Sequence, residues 1–75
     1  MNKENSSKIW KTIQEAGDFL QGQLPSHRNH PKGRNPYAHI AISVKEKFNA
    51  SYKDIPDEKY IDVLNYIEFL KMNPN

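Results

Sequence analysis

Asn35-Pro36-Tyr37-Ala38-His39-Ile40-Ala41-Ile42-Ser43-Val44-Lys45-Glu46-Lys47-Phe48-Asn49 is the stretch whose pattern decides the fold. Asparagine caps free helix amides, and proline at the first helical position loses no hydrogen bond. Tyr37, Ile40, Ala41, Val44 and Phe48 then recur at steps of three, one, three and four, which predicts an amphipathic helix over 36–48. Asn49 can end it in the left-handed conformation.

Upstream, residues 25–34 are rich in proline, glycine and asparagine and cannot continue a helix. With Asn35 they read as an ordered basic loop, 25–35, carrying Arg28, Lys32, Arg34, His27 and His30 and no acid. Before this loop, Ser6 or Ser7 can cap a first helix over about 7–22, whose inner face is Ile9, Ile13, Ala16 and Leu20. Trp10 and Phe19 widen that face. Gly17 costs roughly 1 kcal/mol against alanine in mid-helix, Gly22 suits a C-terminal cap, and Leu24-Pro25 stops any continuation.

Downstream, Ser51-Tyr52-Lys53-Asp54 has the spacing of a short capping box. Ile55-Pro56-Asp57-Glu58-Lys59 then opens a third helix over about 56–71, with acids where the helix dipole favours them. Its core stripe is Tyr60, Val63, Leu64, Ile67 and Leu70. Tyr66 and Phe69 lie off the stripe, so this helix carries more apolar surface than one neighbour can cover. No segment alternates with a strand period, and the two ends read as disordered. The expectation is an all-α, small three-helix domain spanning 1–75.

A chain of 75 residues holds one marginal core, so an oligomer is expected. It has no cysteine, and its polar N-terminus leads into no signal or membrane run, so a soluble, cytoplasmic protein is expected. Net charge is +2 but unevenly spread. Residues 1–24 balance; residues 25–53 set Arg28, Lys32, Arg34, Lys45, Lys47 and Lys53 against Glu46 alone. The remainder sets Asp54, Asp57, Glu58, Asp62 and Glu68 against Lys59 and Lys71. Such a dipolar molecule can orient a charged partner or pair with itself.

Little in the chain points to chemistry. His27, His30 and His39 lack a carboxylate or thiolate placed beside them, and solvated loop histidines explain them better than a metal. Ser26, Ser43 and Ser51 sit in no nucleophile elbow, and Gly33 alone makes no phosphate loop. No catalytic residue, cofactor or metal ligand is expected, and the chain reads as a non-enzyme. Arg28, Lys32 and Arg34 near Tyr37 suit a phosphate backbone, but the helix that follows is a poor set of base readers, so direct nucleic-acid binding ranks behind a structural loop and a protein contact. Trp10, Ile13, Phe19, Tyr66 and Phe69 are the residues expected in an oligomer interface, since three short helices cannot enclose every aromatic.

Several blocks together resemble a known family. His30-Pro31-Lys32-Gly33-Arg34-Asn35-Pro36-Tyr37-Ala38-His39, then Lys47-Phe48-Asn49, then Ser51-Tyr52-Lys53-Asp54-Ile55-Pro56-Asp57-Glu58-Lys59-Tyr60, then Val63-Leu64-Asn65-Tyr66-Ile67, are similar to the C-terminal module of phage antirepressors and related prophage regulatory proteins. The likeness spans about 24–70 and leaves 1–23 outside. The resemblance implies a bacterial-host setting and a small antirepressor that binds the phage repressor protein and removes it from operator DNA, promoting prophage induction. Arg28, Lys32, Arg34, Tyr37, Tyr52, Asp57, Glu58 and Asp62 are then the partner-binding candidates. Asp57, Glu58 and Asp62 are suited to a basic DNA-reading surface, and the first helix to self-association or bridging of repressor subunits. A nucleic-acid-binding accessory factor using the basic loop, or an inhibitor of a host protein, is the alternative.

Overall fold

The computed structural model describes residues 1–21 and 35–73, and over these the chain is an all-α bundle of three helices. The expectations placed on the loop, including Arg28, Lys32, Arg34, His27, His30 and the Gly22 cap, lie outside the described residues.

The first helix, α1, runs Lys3–Leu20 and so begins a turn earlier than Ser6 or Ser7. Asn2 is the cap: its side chain accepts from the Asn5 N–H at 2.7 Å, and its carbonyl accepts from the Ser6 N–H at 2.9 Å. Asparagine caps as well as serine does, and here a distant acid supports it. Asp57 accepts from the Asn2 N–H at 2.6 Å and from the Asn5 side-chain amide at 3.3 Å, placing a carboxylate at the positive end of α1. The N-terminus is therefore pinned rather than disordered. The Met1 ammonium donates to the carbonyls of Lys53 and Ile55.

The second helix, α2, runs Pro36–Phe48 with the predicted boundaries. Asn35 accepts from the N–H groups of Tyr37 and Ala38 at 3.0 and 3.2 Å. Asn49 takes the left-handed conformation at φ 59°. Lys45 and Lys47 occupy the last turn, where the dipole favours cations. The connection then makes the turn foreseen at Ser51, with the Asp54 N–H donating to the Ser51 carbonyl at 2.9 Å. A 3-10 turn, Asp57–Lys59, leads into α3, Tyr60–Met72.

The core gathers Ile9, Ile13, Ala16 and Leu20 of α1, Ile40 and Val44 of α2, Ile55 of the connection, and Val63, Ile67 and Leu70 of α3. Each large aliphatic removed from water contributes about 1.5–3 kcal/mol. Tyr60 and Leu64, expected in the stripe of α3, are only partly buried against this core, as is Phe48. Ile55, only 1% exposed, belongs to no helical stripe and plugs the core from the connection.

Gly17 has a structural reason that its helix propensity hides. The Tyr37 ring of α2 packs so closely on it that a Cβ there would lie 2.3 Å from Tyr37 Cδ1. The Tyr37 hydroxyl then donates to the Asp18 carboxylate, tying the first turn of α2 to the last turn of α1. That hydrogen bond, with desolvation and the Asp18 charge, raises the Tyr37 pKa above the ordinary tyrosine value. A group whose folded pKa is raised stabilises the fold below its unfolded pKa and loses that contribution as pH rises through the folded one. Alkaline titration followed by tyrosinate absorbance is expected to show a late phenol that Asp18→Asn brings down and Tyr37→Phe abolishes.

Candidate protein-binding face

On α3, Val63, Ile67 and Leu70 point into the bundle and leave the opposite side uncovered. There Ile61, Asp62, Asn65, Glu68, Phe69 and Met72 follow one another at steps of one, three, three, one and three, all exposed. At 100° per residue they fall within an arc of about 120°. Glu58 extends the row backwards by one turn. Ile61, Phe69 and Met72 are 60%, 56% and 66% exposed, so the row alternates large apolar side chains with carboxylates. A helix apolar on two sides has one face for its own core and one for something else.

Phe69 does not stand alone at the C-terminal end of this row. Its ring stacks on Tyr66 at 6.0 Å and 16°, and Tyr66 meets Phe48 edge-on at 6.0 Å. Lys47 lies 5.7 Å from the Tyr66 ring, and Lys71 lies 4.8 Å from that of Phe19, both within cation–π range. These contacts hold the aromatics in fixed positions, which lowers the entropy lost when a partner is bound.

The residues expected to bind a partner are thus divided among different tasks. Glu58 and Asp62 lie on the α3 row. Asp57 is engaged within the chain as support for the α1 cap. Tyr37 packs on Gly17 and bonds Asp18, so its first task is joining α1 to α2. Tyr52, in the connection before α3, stacks on Trp10 of α1 at 6.0 Å and 11°.

Of the expected oligomer contacts, Ile13 requires correction: it is 0% exposed and offers no surface. The stripe was read properly as one face of a helix, but α2 and α3 cover that face completely. Trp10 and Phe19 are partly exposed, on the two flanks of the buried face of α1. Ile61 and Met72 were not singled out in the sequence, although the apolar excess of the third helix was the signal that could have found them.

A cleft of about 490 Å³ beside the α1–α2 junction is lined by Trp10, Lys11, Gln14, Glu15, Asp18 and Tyr37. Of its two acids, Asp18 is already bonded to the Tyr37 phenol. Among the described residues, no group of three His, Cys, Asp or Glu side chains is placed to hold a metal, and no helix is long and apolar enough to cross a membrane. The exposed acidic and apolar row on α3 is therefore the feature from which function is best argued. No protein-family model, curated protein or solved structure matches the chain.

Proposed function

We propose that this chain is a non-enzymatic phage antirepressor, which binds the phage repressor protein and removes it from operator DNA, promoting prophage induction. The observation that carries the reading is the outer row of α3, with its apolar anchors Ile61, Phe69 and Met72 set among Glu58, Asp62 and Glu68. A DNA-reading surface is lined with lysines and arginines that neutralise phosphates. An acidic helix face can take the same cations, while its apolar side chains supply contact energy that DNA phosphates cannot. Protein and operator then compete for one surface. The likeness of residues 24–70 to antirepressor modules supports the same reading, and α3 lies almost wholly within it.

The test is a mobility-shift assay with the repressor of the prophage that carries the gene, bound to its operator. Adding the chain is expected to return the operator to its free position. If the repressor–operator complex stays intact and the chain shifts operator DNA by itself, the reading is wrong.

A further inference from the structure

Two exposed patches of opposite charge lie on this small chain. One is the acidic end of the α3 row, where Ile61 sits between Glu58 and Asp62. The other is a groove of about 370 Å³ lined by Met1, Lys3, Ser6, Trp10, Tyr52 and Lys53. Trp10 and Tyr52 stack on each other in its lining, and the Lys53 ammonium lies 6.0 Å from the Tyr52 ring. Among the described residues the ion pairs are Glu4–Lys8 and Glu68–Lys71, so Lys3 and Lys53 on one patch and Glu58 and Asp62 on the other have no charge partner among those residues.

We propose that this groove receives the α3 face of a second copy of the chain. Ile61 seats against Trp10 and Tyr52, while Glu58 and Asp62 face Lys3 and Lys53. Each patch supplies what the other lacks: apolar surface for apolar surface, and a cation for each carboxylate. The two patches share no residue, so the contact is heterologous, leaving a free groove on one copy and a free α3 face on the other. The inference uses the face assigned above to the repressor but does not rest on that assignment. Where both hold, repressor and second copy compete for α3, and self-association regulates how much of the face is available.

Light scattering on the full chain over a range of concentrations, without repressor or DNA, tests this directly. The wild-type mass is expected to rise from monomer toward dimer and beyond, and to fall again in high salt, which screens the charge pairs. Lys53→Glu, which spoils only the groove, and Asp62→Lys, which spoils only the face, are each expected to stay monomeric with unchanged helical circular dichroism. Trp10→Ala serves as a second groove variant. Mixing Lys53→Glu with Asp62→Lys is expected to restore association, because the mixture contains one intact groove and one intact face.

The proposal is overturned by a wild-type chain that is monomeric throughout, by groove variants that associate like wild type, or by a mixture that stays monomeric although wild type associates. A monomer that binds a single-stranded oligonucleotide with quenching of the Trp10 indole would overturn it too. None of these failures bears on the repressor reading.

Discussion

Ile13→Ala is expected to destabilise the chain by about 2–5 kcal/mol, the range for removing a fully buried Ile or Leu from a core that cannot collapse around the cavity. For a domain of this size stability is on the order of 4–11 kcal/mol, so the loss takes a large part of the whole. Each kcal/mol lowers Tm by about 4–8 °C, so thermal circular dichroism should show a fall of roughly 10 °C or more. Ile61→Ala, at an equally apolar but exposed position, is expected to change stability by no more than about 0.5 kcal/mol. Similar small effects at both positions would contradict the assignment of Ile13 to the core.

The second large effect reverses sign with its background. Alanine in mid-helix is ordinarily better than glycine by about 1 kcal/mol, yet Gly17→Ala is expected to destabilise by about 1–3 kcal/mol, the cost of overpacking. The new Cβ would lie 2.3 Å from Cδ1 and 2.5 Å from Cε1 of Tyr37, so the ring must leave its place and release Asp18. In a Tyr37→Ala background the obstruction is gone, and Gly17→Ala should then stabilise by up to about 1 kcal/mol. Denaturant titration of the four chains gives the coupling as a double-mutant cycle. Additive effects would mean that the ring and the glycine are not in contact.

These two residues also mark the limit of what the chain reveals unaided. The helix Pro36–Phe48 was legible to the residue because its start, its stripe and its end are all written locally, in Asn35-Pro36, in the spacing of apolar residues and in Asn49. The start of α1 was misread because its cap, Asn2, is supported by Asp57, whose place beside it appears only once the chain has folded. Ile55 lies between two turns and has no period to announce it. Gly17 looked like a weakness because propensity is a property of one helix, whereas its close approach belongs to two. Ile13 went to the wrong surface for a related reason: periodicity states which residues share a face but not what covers it.

The candidate site divides in the same way. The apolar excess of the third helix was plain from Tyr66 and Phe69, and Glu58 and Asp62 were assigned to the surface that carries them. What sequence could not supply was the sorting of Tyr37, Tyr52 and Asp57 by their folded neighbours. With those contacts known, the row from Glu58 to Met72 stands apart, among the described residues, as an exposed face that the three-helix core does not use.

That the α3 face displaces the repressor is tested most directly by titrating a fluorescent operator, saturated with the repressor, with wild type, Asp62→Lys and Lys53→Glu. Wild type is expected to free the operator, and Lys53→Glu to do so at the wild-type concentration or below it, because Lys53 lies off the α3 row and its replacement only keeps a second copy from occupying that face. Asp62→Lys should need about tenfold more or worse, a loss of about 1.4 kcal/mol or greater in binding. Displacement by Asp62→Lys at the wild-type concentration would contradict the account, as would a wild-type chain that leaves the repressor on its operator.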